Sequence, residues 1–334
     1  MANPNPTPGL VLDYTVRDGA ACLVRVYSGD PCPILPETVD GLPLTALGAY
    51  CFAPEQPARA LPPADALHRC TLPGGDPCDN RVGGNFLQEI TLPRGLACIG
   101  SCAFYNCRKL AKLSLGAQVR TVGSDVFLNT FALTQITVQA RPDGPCGLFE
   151  VLNSIVTDVR VLFRPEDTVL AAATYPEYWM DAEESPAHIF LQTYAGQGYR
   201  YRQCFQGQVP EWGSYDAVLP QSSASNPARI MTQLALDRLR WPFALTDAAR
   251  DAYRAYLKQQ LPTCMKNLMR QQDTEALQAL LALDLMDVTD LQAAAQQARQ
   301  ADNAAFAALL ANALAARQPK QTAQTKANRY DFDF

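Results

Sequence analysis

The chain predicts an α+β fold: a solenoid of short stacked strands, then an aromatic-rich capping and linking segment, then an all-α domain of helical hairpins. Three observations carry this expectation. A 23-residue pattern recurs between about residues 34 and 140, large rings crowd the stretch 175–215, and a second repeat, 29 residues long, lies in the alanine- and leucine-rich C-terminal third. Self-similarity at a fixed period marks supersecondary units that bury their apolar edges on one another. The expected organisation is an N-terminal cap (1–33), the solenoid (34–140), the aromatic segment (141–225), the helical domain (226–317) and a flexible tail (318–334).

Bulk properties limit the function classes. A length of 334 residues allows two or three domains, and 48% hydrophobic with 18% charged residues is ordinary for a globular chain. A net charge of −5 gives no electrostatic reason to expect nucleic acid or an anionic membrane surface as a partner. No apolar run approaches the ~20 residues needed to span a bilayer, so membrane insertion is not expected. The opening MANPNPTPGLVLDY has no basic region followed by an apolar segment, so the expected location is the cytoplasm, with the cell surface as the alternative. The 11 cysteines, an odd number scattered from Cys22 to Cys264, argue against a complete disulfide framework.

The repeat is sharpest where LQEITLPRGLACIGSCAFYNCRK (87–109) overlies LAKLSLGAQVRTVGSDVFLNTFA (110–132). Leu87, Ile90, Leu92, Leu96, Ile99, Gly100 and Phe104 correspond to Leu110, Leu113, Leu115, Val119, Val122, Gly123 and Phe127. A partial copy begins at LTQITV (133–138), and LTALGAYCF (44–52) repeats the Gly48 and Phe52 features. LHRCTLP (67–73) with VGGNF (82–86) reads as a degenerate, loop-interrupted copy. Cys98, Cys102 and Cys107 map to Thr121, Asp125 and Thr130, so the apolar and glycine positions recur while the sulfurs do not. A structural metal site needs about four Cys or His ligands, and the chain has 2 histidines. The cysteines are therefore expected to pack, and no metal or other cofactor is expected.

The pattern L-x-x-I-x-L followed by V/L-x-x-I-G-x-x-x-F resembles the BspA-type leucine-rich repeat of bacterial proteins. ILPETVDGLPLTALGAYCF (34–52) looks like an opening repeat of that family. The resemblance implies a right-handed solenoid with short strands stacked into a parallel sheet. It also implies binding roles: adhesion, or capture of proteins and other macromolecules.

Strand alternation turns Leu110, Leu113 and Leu115 of LAKLSL inward and Lys112 and Ser114 outward. The outward positions on successive strands are Glu89 and Thr91, then Lys112 and Ser114, then Gln135 and Thr137, and these six are the candidate binding residues for a protein partner. The same ladder is also compatible with a solvated sheet face that touches nothing.

Beyond 140 the repeat fades. VRVLF (159–163) reads as a strand, PEDTVLAAATY (165–175) as the start of a short helix, and GYRYRQCF (198–205) as a strand with rings on one face and arginines on the other. QSSASNPAR (221–229) reads as a linker in which Asn226 caps a helix with Pro227 in its first turn. Thr246 is expected to cap the next helix and Pro262 to kink or end it. DTEALQALLALDL (273–285) overlies DNAAFAALLANAL (302–314), with Asp273 and Asp302 as caps and an intervening helix from Thr289. Paired helices at this period look similar to ankyrin-like hairpins, with a plain helical bundle as the alternative. The terminal YDFDF reads either as a linear docking motif or as an untethered end.

No phosphate loop, dinucleotide fingerprint, H-E-x-x-H or nucleophile elbow occurs. Neither His68 nor His188 has a nucleophile and orienting carboxylate beside it in the sequence, and Glu183-Glu184 reads as a solvated pair. The expected function is non-catalytic protein–protein interaction. The alternatives are a surface adhesion or host-binding protein and an enzyme with its site in the aromatic segment.

Overall fold

The computed structural model describes residues 5–76, 78–184 and 190–317, with backbone alone for 180–184 and 190–195. His188, the side chains of Glu183 and Glu184, and the terminal YDFDF lie outside the described residues. The chain forms two compact units, 1–253 and 254–334.

The first unit opens with a hairpin, β1 (Val11–Arg17) against β2 (Ala20–Tyr27). Its two-residue loop Asp18-Gly19 has φ of 50° and 75°, the left-handed pair that a tight hairpin turn with the twist of its strands requires. Asp40-Gly41 repeats the device between β3 (Thr38–Val39) and β4 (Leu42–Leu47). β5 (His68–Thr71) pairs antiparallel with β1. The LHRCTLP segment is therefore not a solenoid rung. Its approach is broken by Pro54, Pro57, Pro62 and Pro63, and its strand carries no inward leucine triplet to bury.

The solenoid has two parallel faces. On one, β4 pairs with β7 (Cys98–Ile99), which pairs with β9 (Thr121–Val122). On the other, β6 (Glu89–Thr91), β8 (Lys112–Leu115), β10 (Gln135–Val138) and β11 (Val159–Phe163) stack in parallel. The register Ile90↔Leu113↔Ile136 places like residues over like, and all three are at most 2% exposed. The connecting turns pile Phe52, Phe104 and Phe127 as stacked rings at 5.1 and 5.3 Å, each contributing about 1.5–3 kcal/mol by burial. At Gly123 an added Cβ would sit 2.4 Å from the Ser101 amide nitrogen, so the turns stack this closely because no side chain intervenes.

The stacking then stops. Gly147, at φ 62° and with no room for a Cβ beside the Val119 carbonyl, starts the short helix α1 (Leu148–Leu152) against β9, where a further strand would have stacked. The expected helix over 165–175 is instead β12 (Ala171–Tyr175), antiparallel to β11. All five of its residues are buried between the sheet and α5 (Ala228–Arg240), and burial on both sides overrides the local preference.

After the hairpin β13 (Trp179–Glu184) and β14 (Phe190–Ala195), the GYRYR segment is helix α2 (Gly198–Arg202), not a strand. Tyr201 and Arg202 are both buried there. The guanidinium donates to the carbonyls of Ile155 (3.0 Å), Pro176 (2.5 Å), Gly198 (3.0 Å) and Thr157 (2.8 Å), and a helical turn satisfies this network where an alternating strand would not. A small hairpin, β15 (Phe205–Gln206) with β16 (Val209–Pro210), leads to α3 (Trp212–Ala217) and α4 (Leu219–Ser225). The expected linker 221–229 is thus largely helix. Ser222 is fully buried and shares a 2.7 Å hydrogen bond with the Tyr201 hydroxyl, while its own hydroxyl returns to the Leu219 carbonyl. Asn226 gives α5 no side-chain cap; Pro227 occupies the cap position. The Thr246 hydroxyl accepts from the Ala249 amide at the start of α6 (Asp247–Gln259).

In the second unit, Pro262 lies in the first turn of α7 (Leu261–Gln271): of the two expected outcomes, kinking or ending the preceding helix, the helix ends, at Gln259, and a new one begins. α8 (Thr274–Ala282) is capped by Asp273, and α9 (Val288–Gln300), which starts one residue before the expected Thr289, by an Asp287–Asp290 capping box. α10 (Ala304–Arg317) is capped by Asn303, whose side chain accepts from the Phe306 amide, and not by Asp302, which is left-handed at φ 50°. Of the overlaid pairs Leu280-Leu281 and Leu309-Leu310, Leu280 and Leu310 are the fully buried members, each equally far from its cap, so the structural repeat is one residue longer than the 29-residue overlay. α9 and α10 pack along each other, and both α7 and α10 touch α8.

Candidate functional site

The six predicted residues lie together in one patch. Parallel pairing aligns Glu89 with Lys112 and Gln135 in one row, and Thr91 with Ser114 and Thr137 in a second. Each alternates with a buried neighbour, so the rows face outward. Lys112 Nζ donates to Glu89 Oε1 at 2.6 Å, with both side chains about half exposed (51% and 42%). An ion pair this open to solvent is worth about 0.2–1 kcal/mol, so it orients the patch more than it holds the fold.

The first row continues to Arg160 on β11. The alternation in VRVLF already turns that residue outward, but the repeat overlay did not extend to it. Arg160 donates from Nε to Asp237 Oδ2 (2.8 Å) and from Nη2 to Asp237 Oδ1 (2.6 Å), and Gln233 Nε2 also reaches Oδ1 (3.0 Å). Asp237 belongs to α5, which covers β12. One end of the ladder is therefore closed by a helix, and the open part spans β6, β8 and β10.

The chemistry on this face is hydrogen bonding: hydroxyls, one amide, one carboxylate and one ammonium. Among the described residues no group of three or more His, Cys, Asp and Glu is placed to hold a metal ion. Of the three cysteines in 98–107, Cys107 is fully buried, its thiol donating to the Phe52 carbonyl at 3.1 Å, and burial pushes its pKa up to about 12.

Folding does assemble one chemical cluster that the sequence did not suggest. Tyr14 faces His68 with ring centroids 5.4 Å apart, and the Tyr14 hydroxyl donates to Asp40 Oδ2 at 2.7 Å. Cys70 stands beside the same carboxylate. Burial first, and then Asp40, push the Cys70 thiol up from its ordinary value, the opposite of what a nucleophile needs. The antiparallel β1–β5 pairing creates this cluster, and nothing in the local sequence signals that pairing.

Residues 83–143 match the BspA type leucine rich repeat region (6 copies). No curated protein and no solved structure matches the chain. The matched span holds all six ladder residues and two of the three stacked phenylalanines. Leucine-rich-repeat solenoids are generally protein-interaction scaffolds and generally not enzymes, and those of the BspA type are often surface-associated. No helix of the described residues is long and apolar enough to cross a membrane.

Proposed function

We propose that this chain is a non-catalytic interaction protein whose β6–β8–β10 face binds a protein partner through Glu89, Thr91, Lys112, Ser114, Gln135 and Thr137. The supporting observation is the two in-register outward rows across three parallel strands. Rigid main-chain pairing fixes the side chains at the strand spacing, which lowers the entropy lost on binding. The mixed polarity suits a hydrogen-bonding protein surface, and the row lacks the basic stripe that a nucleic acid would demand. Paired helices in 273–317 supply a second docking surface on this reading, in the manner of ankyrin-like hairpins, with α9 and α10 as one such pair.

The test is affinity capture from native lysate with the intact chain, repeated with Lys112→Ala and Gln135→Ala. Loss of a captured protein with either change supports the ladder, and unchanged capture by both counts against it. Eleven free thiols favour a reducing compartment. The BspA match favours adhesion at the cell surface as a second reading. Cell fractionation separates the two.

A further inference from the structure

The solenoid turns are joined by a second hydrogen-bond ladder, distinct from the strands. The amides of Tyr50 and Phe52 donate to the carbonyls of Ser101 (3.1 Å) and Ala103 (2.8 Å) in the next turn. In the same direction, the amides of Cys102, Phe104 and Asn106 donate to Ser124 (2.9 Å), Val126 (3.0 Å) and Leu128 (3.0 Å). The equivalent donors of the last turn are Asp125, Phe127 and Asn129, and among the described residues they have no acceptor. The side-chain ladder ends in the same way. Asn129 Nδ2 donates to Asn106 Oδ1 at 2.8 Å, and no described group donates to Asn129 Oδ1. α1 is the cause, because it diverts the chain before another turn can stack.

These unfilled groups border a groove of about 380 Å³ between residues 123–131 and 153–157. Leu128 (48% exposed), Phe131 (67%) and Val156 (50%) line it, an unusual concentration of exposed large hydrophobics for one place. Three parallel amide dipoles make the polar edge electropositive, so its complement is a row of carbonyl oxygens at alternate positions. A second copy of this chain would have to supply that row from the Ala49, Cys51 and Ala53 carbonyls of its own first turn, where the Ala49 carbonyl already accepts from Gln56 Nε2 at 3.1 Å.

We propose that this open end is a peptide-binding site, separate from the β6–β8–β10 face. It would take a turn-forming segment of a partner protein that repeats the chemistry of residues 123–130: carbonyls at alternate positions, apolar side chains and a primary amide over Asn129. Binding would continue the ladder by one turn, as strand addition continues a sheet. The site stands or falls independently of the outward ladder.

The test uses the full chain and a synthetic peptide, VGSDVFLNTF, copied from residues 122–131. Amide hydrogen exchange is followed by NMR with and without millimolar peptide. In the free chain, Asp125, Phe127 and Asn129 exchange faster than Cys102, Phe104 and Asn106. Saturating peptide slows those three by about tenfold or more, a scrambled peptide does not, and Phe131→Ser weakens binding by about tenfold. Lys112→Ala leaves binding unchanged. Full protection of the three amides in the free chain would overturn the proposal. So would no change on adding peptide, or loss of binding with Lys112→Ala.

Discussion

Arg238 and Asp216 show what a single residue does in the first unit. The Arg238 guanidinium is fully buried, donates twice to Asp216 at 2.8 Å, and lies 4.6 Å from the centre of the Trp212 ring. Tyr253 adds a third donor to the same carboxylate at 2.8 Å. Removing one member strands a buried charge, so Arg238→Met should destabilise the chain by about 3–5 kcal/mol, whereas Tyr253→Phe should remove only about 1 kcal/mol. Urea unfolding of the full chain measures both, and equal losses would contradict this account.

The buried thiols make a pH prediction at the same scale. Burial raises Cys107, Cys204 and Cys264 to about 12 and Cys146 to about 11. An unfolded thiol ionises at about 8.5, so over the interval above that value the native state holds the proton more tightly. The stability from these groups is therefore complete below about pH 8.5 and is lost as pH climbs toward the folded values. Under reducing conditions the unfolding free energy should fall between about pH 8 and pH 10, by on the order of a few kcal/mol in total for four such thiols, and the urea midpoint should fall with it. A flat midpoint over that range would refute it. None of these partnerships was legible in the sequence, because Arg238, Asp216 and Tyr253 meet only through the packing of three helices. The alternation of Lys112 and Ser114 with Leu113 was legible, because period-2 patterning is local.

At the scale of the element, the turns between strands carry as much of the specification as the strands themselves. Phe104 is fully buried between two stacked rings, while Phe131 at the open end is 67% exposed. Phe104→Ala should cost about 3–5 kcal/mol and Phe131→Ala less than about 0.5 kcal/mol, read from thermal or urea unfolding. Gly123→Ala forces a Cβ into the Ser101 backbone and should destabilise the chain by about 1–3 kcal/mol, despite the general preference for alanine over glycine. Elements read from their own periodicity, such as β8, β10, β11 and α8, stand where the sequence placed them. Those that differ did so under tertiary pressure. β12 is a strand because both of its faces are covered, and α2 is a helix because Arg202 needs four carbonyls at once. The Asp18-Gly19 and Asp40-Gly41 turns are local hairpin signals that are not part of the 23-residue pattern.

For the whole molecule, one offset of 23 residues produces the core, the outward ladder and the open end together. It appears directly in the Lys112–Glu89 and Asn129–Asn106 contacts, each made between residues 23 positions apart. The six-residue face was legible because a repeat fixes which side chains share a row once one strand is aligned. The end of the repeat was not, since a helix replacing a strand after Gly147 depends on a close approach to Val119 that no pattern displays. The central claim, that these segments stack as successive turns, is most directly tested by methyl NOEs among Ile90, Leu113 and Ile136 in the full chain. Stacking predicts cross-peaks from Leu113 to both isoleucines and none between Ile90 and Ile136, two strands or roughly 9–10 Å apart. Absence of the Leu113 cross-peaks would contradict the account.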